Sequence, residues 1–420
     1  MSSTAAFDTQ ILRASITEDN DVKNRLVQVR ESSVVLCIGL AAALTWSTNS
    51  MHAQQSLSTL RLEGPMSSAA ISPDGHYIAA NIGSSVQKPD GSWRSTESIQ
   101  VLEPSASRVA AKVDLPSAAL LKEGPLSSTD GFVGYCGNGK YLAAYDEIGT
   151  IYVLNAHSYE VESKISLGEM PHVGVLGVRR VVCSANSNLI AVNGYGGQFG
   201  FGVIRLFDLA SAGQVAELRQ NPSAGTEFRQ ISLSPDGAKL AILLENPRRT
   251  AIQGPNVEIR ETRHLTLLNQ FSTGDAPRGL AFAGESEVVT VQEQPAGWSS
   301  PKQALRLWNV ESGKEERRFS DAHLDVDGPI SSSADGKYVA ASITKYHECR
   351  LCNGLEGRRD VTEQRFAVWN KATGAQIYRS EPYRPIVEPL GPEPVLSQSG
   401  GVVMVYWPDN VITPRLFSVP

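Results

Sequence analysis

Ser72-Pro73-Asp74-Gly75, followed by Tyr77-Ile78-Ala79-Ala80, recurs as Ser234-Pro235-Asp236-Gly237, followed by Leu240-Ala241-Ile242-Leu243-Leu244. In both, proline presets φ at the second turn position, and Asp and Gly tolerate the bridge and left-handed conformations that come next. Each stretch therefore predicts a tight hairpin entering a strand. Looser copies begin at Gly137, Ser184, Ala283, Ala334 and Ser397, each with an apolar run behind it. Aligned on the glycine or its equivalent (75, 139, 187, 237, 286, 336, 400), the copies lie 48 to 64 residues apart. The run after the turn is apolar at nearly every position, the pattern of a strand buried on both faces.

Working outward, a third segment follows in every copy, from SIQVLE (98–103) and TIYVLN (150–155) to FAVWNK (366–371) and PRLFSV (414–419). A more polar fourth segment follows the first six, from AAKVDL (110–115) to QIYRSE (376–381). The seventh sits at the front, as Leu57-Ser58-Thr59-Leu60-Arg61-Leu62, and the chain stops at Pro420 just after its last third segment. The expectation is all-β: seven four-stranded antiparallel sheets set radially, with the early Leu-rich strand completing the last one. An open ring would leave two strand edges free to aggregate.

These residues resemble the WD40 family. Leu307-Trp308-Asn309, Val368-Trp369-Asn370 and Leu206-Phe207-Asp208 look like degenerate WD40 third-strand ends. Asp146-Glu147-Ile148-Gly149-Thr150 resembles the family's turn before that strand, and Ala322-His323 stands where its Gly-His pair belongs. Most copies lack the His, the Asp or the Trp, so a YVTN-type or TolB-like propeller of the bacterial exported kind is the alternative. The resemblance covers residues 57–420 and implies a seven-bladed β-propeller.

Composition sets the outer limits. In 420 residues, 38 Lys+Arg against 44 Asp+Glu give a net charge of −6, without the basic excess of a nucleic-acid binder. Apolar residues at 41% and charged residues at 20% are too apolar for a disordered chain.

Val34 to Trp46 is a 13-residue apolar run, short of the ~20 residues that span a bilayer. Lys23, Arg25 and Arg30 precede it, and Ser50-Met51-His52-Ala53 follows, the order of a secretory signal peptide cleaved after Ala53. A buried helix is the alternative. The acidic first 21 residues fit no such leader, and translation starting at Val22 would remove them. Residues 1–53 are thus read as extension and signal peptide, and 54–420 as one propeller, periplasmic or secreted, with no membrane span in the mature chain.

Candidate binding residues fall in five long loops between second and third strands, 81–97, 193–202, 245–256, 292–303 and 343–364, which share one face of such a disc with the loops entering each blade. They are Trp93, Arg94, Tyr195, Phe199, Phe201, Arg248, Arg249, Trp298, Arg358 and Arg359. Trp, Tyr and Arg dominate interface hot spots, and loops on a rigid scaffold carry function; packing on their own blades is the alternative. Cys349 and Cys352 read as a disulfide in an oxidising compartment, or as two zinc thiolates with His347 as third ligand, or as a redox pair. Cys136 and Cys183, at one repeat position in adjacent copies, are expected to be buried free thiols. His172, His323 and His347 are expected on the same face.

No Gly-x-Ser-x-Gly elbow or phosphate-cradling Gly-x4-Gly-Lys loop occurs, and Gly194–Gly202 has no helix behind it to hold a nucleotide. The expected function is a non-enzymatic scaffold, without cofactor, that binds a protein or small ligand through the long-loop face. The alternative is a propeller enzyme of the lactonase or quinoprotein dehydrogenase type.

Overall fold

Three of the turns are closed by one set of hydrogen bonds. In the first, the Ser72 hydroxyl donates to Asp74 Oδ1 at 2.5 Å and accepts from the Tyr77 amide, while the His76 amide donates to Asp74 Oδ1. Ser234 and Asp236 repeat this with the Lys239 and Ala238 amides, and Ser333 and Asp335 with those of Tyr338 and Lys337. Gly75, Gly237 and Gly336 take φ of 77°, 72° and 67°, the left-handed region that excludes most other residues. The motif is local chemistry, which is why it was readable in the sequence.

The computed structural model describes residues 62, 66–87, 90, 93–115, 120–121, 131–146, 149–167, 178–196, 201–221, 225–245, 254–274, 277–292, 304–321, 325–348, 359–382, 393–406 and 415–419. The leader, with its start and cleavage sites, lies outside them. From Met66 onward the described chain is strand and turn, with a single 3-10 turn at Pro104–Ala106.

Each turn joins the first strand of a blade to its second. Blade 1 runs Met66–Ile71, Ile78–Gln87, Trp93–Glu103, Arg108–Leu115, and blade 2 runs Phe132–Cys136, Tyr141–Tyr145, Thr150–Asn155, Val161–Ser166. Blades 3 to 6 begin at Val178–Cys183, Glu227–Leu233, Pro277–Phe282 and Asp325–Ser332 and pair their four strands in the same order. Blade 7 pairs Glu393–Leu396, Val402–Tyr406 and Arg415–Ser418. All ladders are antiparallel, and the first strands adjoin one another in sequence around a circle until Glu393–Leu396 meets Met66–Ile71. The fold is a seven-bladed β-propeller.

The doubly apolar second strands now have a reason. Their residues alternate between two seams: Ala79 packs toward blade 2 while Ile78 and Ala80 pack toward blade 7. Likewise Val339 and Ala341 face blade 5, and Ala340 faces blade 7. Seven buried clusters fill the seven seams, each drawn from two adjacent blades. The core is therefore circular, and no blade buries its apolar faces alone.

The predicted closing strand falls mostly outside the described residues. Its last member, Leu62, packs against the cluster that joins Met66, Ile78 and Ile82 of blade 1 to Met404 and Leu416 of blade 7.

Candidate interaction face

The seven blades differ most in the reach of their second and third strands. In blade 2 these have 5 and 6 residues, in blade 1 they have 10 and 11, and in blade 6 they have 11 and 12. Five extra residues at about 3.3 Å each carry a ribbon roughly 16 Å beyond the neighbouring blade. Blade 3 extends by less, with 8 residues in each strand. All the extra length lies at the end away from the tight turns, so among the described residues the blade 1, 3 and 6 ribbons rise as two-stranded arms from one face of the disc. Blade 1's arm is widened by Leu120–Leu121, which pairs with Trp93 and Arg94.

This corrects the reading of 81–97, 193–202 and 343–364 as loops. They are mostly ladder: Gln87 pairs with Trp93, Tyr195 with Gly202, Gly196 with Phe201, and Glu348 with Arg359. Gly and Ser in these segments mask a strand signal that comes from pairing, not propensity. Trp93, Arg94, Tyr195, Phe201 and Arg359 therefore lie on arm strands, and His347 is a strand residue opposite Asp360 rather than a loop residue. Phe199, Arg248, Arg249, Trp298, Arg358, Cys349, Cys352, His172 and His323 lie outside the described residues. Among those described, no three His, Cys, Asp or Glu side chains gather to hold a metal, and no helix is long and apolar enough to cross a membrane.

At blade 2 the same face carries the Asp146 turn. Thr150 N donates to Asp146 Oδ1 at 2.7 Å, and Gly149, at φ 100°, donates to the Asp146 carbonyl. Tyr152 lies beside it, and burial pushes its hydroxyl up to about 12, with the Asp146 and Glu97 carboxylates adding to the shift. Asp146 and Glu97 are themselves buried, which makes this seam polar inside.

On the opposite face the free-thiol expectation for Cys136 and Cys183 is overturned. They form a disulfide with Cα atoms 5.6 Å apart, within bridging range. First strands of adjacent blades converge on the channel, and Gly134 permits the close approach: a Cβ there would sit 3.1 Å from Cys183 Sγ. The turns are also tied by backbone, Gly137 N donating to Ser184 O and Asn138 N to Ala185 O.

One constellation escaped the sequence reading. The innermost ladders of blades 3, 4 and 5 slip by a residue at Val178/Arg180, Phe228/Gln230 and Pro277/Gly279. The extra residues are Arg179, Arg229 and Arg278. Each stands five residues before the turn marker (Ser184, Ser234, Ala283), a signal visible only once the repeats are aligned on structure. The Arg229 guanidinium pairs with the Glu245 carboxylate.

No family model matches the chain, and no curated protein matches it. Among solved structures it resembles the beta-propeller domain of Myceliophteria thermophila Cps50 (Swd1), at 13% identity and a TM-score of 0.53. The match covers 87% of this chain and 100% of that one. At that identity the likeness bears on architecture alone, and it agrees with the ladders and seams above: this chain is a β-propeller.

Proposed function

We propose that the chain is an exported, non-enzymatic propeller that holds a protein or small ligand on the face bearing the three arms. The observation that carries this reading is the length of the blade 1, 3 and 6 ribbons among the described residues, whose paired strands carry Trp93, Arg94, Tyr195, Phe201 and Arg359 beyond the ring. Aromatic and arginine side chains held by paired strands lose less entropy on binding than the same residues in free loops. The Cys136–Cys183 bridge supports export, because such bonds persist in oxidising compartments. It agrees with the leader-like Val34–Trp46 run.

Capture of a partner from the envelope fraction of the native host tests the reading. Replacing residues 347–360 by a two-residue turn removes the blade 6 arm tip and leaves the seams untouched. Loss of the captured partner, with melting unchanged, is expected; undiminished capture by this variant and by Trp93→Ala/Arg94→Ala contradicts it. N-terminal sequencing of the mature protein is expected to begin at Gln54.

A further inference from the structure

We infer that Gln398 latches blade 7 to blade 3 across the axis and shuts the channel at the face bearing the tight turns. The Gln398 Nε2 amide donates to the Ala185 carbonyl at 3.4 Å. Gln398 lies in the turn of blade 7, and Ala185 in that of blade 3. Two blades separate them on one side of the ring and three on the other. A bond between them therefore crosses the middle of the disc. Its signal in the sequence emerges once the turns are aligned on their glycines. Pro73, Gly137, Ala185, Pro235, Gly284 and Ala334 hold the second position of six turns, and Gln398 holds it in the seventh. Of these, glutamine alone has a long side chain and an amide to donate.

The main chain at both ends of the latch is held by other blades. The Gln398 carbonyl accepts from the Ala334 amide of blade 6 at 3.0 Å, and the Ala185 carbonyl accepts from the Asn138 amide of blade 2 at 2.5 Å. One row of hydrogen bonds thus runs from blade 6 through blades 7 and 3 to blade 2. Around this row, every turn touches the next blade. Asn186 N donates to the Pro235 carbonyl between blades 3 and 4, and Asp236 N to Glu285 Oε2 between blades 4 and 5. Glycine brings the other seams together. A Cβ would lie 2.8 Å from Pro73 Cγ at Gly139, 2.9 Å from Gly284 Cα at Gly336, and 3.2 Å from Val402 Cγ2 at Gly75. The turns leave a narrow centre, which the Gln398 side chain spans. Its one neutral hydrogen bond exchanges for water at little net cost, so the latch opens while the seams stay packed. While it is shut, no segment of a partner threads the ring. The inference holds whether or not the arms bind a partner.

Three measurements on the full-length mature protein test the latch. A short bis-methanethiosulfonate is expected to join Gln398→Cys to Ala185→Cys within one chain, in a Cys349→Ser/Cys352→Ser background, with the link located by peptide mapping. Gln398→Ala is expected to speed hydrogen exchange of the Asn138 and Ala334 amides about three- to tenfold and to leave strand amides unchanged. Gln398→Glu separates the latch from simple loss of packing. A protonated carboxyl donates to the Ala185 carbonyl and a carboxylate only accepts, so its melting temperature relative to the parent is expected to fall as pH rises from 4 to 8. Gln398→Ala is expected to show no such trend. Should Gln398→Glu fail to fold, the cross-link and the exchange rates decide. Absence of the cross-link with exchange unchanged in Gln398→Ala overturns the inference, as does a Gln398→Glu protein that melts with Gln398→Ala at every pH.

Discussion

Single residues in the turns show how tightly the blades are fitted. Gly400 has φ 73°, and a Cβ on it would fall 2.2 Å from Tyr338 Cδ2 in the neighbouring blade. Gly149 has φ 100° but nothing within 4 Å of its would-be Cβ. Alanine at Gly149 therefore meets backbone strain alone, about 1–2 kcal/mol, whereas at Gly400 it meets strain plus overpacking, together about 2–5 kcal/mol. Urea unfolding of the two variants is expected to rank them in that order. The turn ring also titrates. Burial and the adjoining Asp236 carboxylate raise Glu285 from 4.5 to about 6, while the Ser234 hydroxyl helps hold Asp236 below its usual range. Between those two values the folded chain holds more of the Glu285 proton than the unfolded one, so stability falls as pH rises across that window. Glu285→Gln is expected to raise the melting temperature at pH 8 relative to the parent and to lose that advantage at pH 4.

At the level of strands and their links, the seams between blades are stitched in different ways. Blades 4 and 5 are joined by Gln230 and Ser232 accepting from the Leu280 and Phe282 amides, and blades 6 and 7 by Ser331 accepting from the Leu396 amide. Between blades 2 and 3 the disulfide adds a covalent tie across 47 residues of sequence. Its removal is expected to cost about 2–4 kcal/mol. Adding a dithiol reductant should lower the parent's unfolding midpoint and leave that of Cys136→Ser/Cys183→Ser where it is; equal sensitivity would deny the bridge. These links were the least legible in the sequence. Cys136 and Cys183 were recognisable as equivalent positions, but their approach follows from how closely first strands converge, which no local pattern reports. The arms were missed for a related reason: Gly83-Ser84-Ser85 and Tyr195-Gly196 read as loop because the ladder, not their propensity, makes them strand.

For the molecule as a whole, what was legible was the repeat. Ser-Pro-Asp-Gly turns, doubly apolar second strands and Trp-Asn or Phe-Asp strand ends all report chemistry within a few residues, and they gave seven blades in the right order. Function was less legible, because it depends on what the ring brings together. Arg179, Arg229 and Arg278 are some 50 residues apart in sequence and become neighbours only when the first strands stand side by side. The ring itself also dictates cooperativity. Every core cluster is shared by two blades, so an unclosed seam exposes apolar residues of both. Leu57 and Leu60 would each contribute about 1.5–3 kcal/mol if fully buried against blade 7, and Leu62 already packs where blades 1 and 7 meet.

Backbone hydrogen exchange of Arg415–Ser418 tests this circular account most directly, comparing the mature chain with one lacking residues 54–62. Slow exchange in the full chain, lost on truncation together with several degrees of melting temperature, is the predicted result. Equal exchange in the two proteins, with melting unchanged, would contradict it.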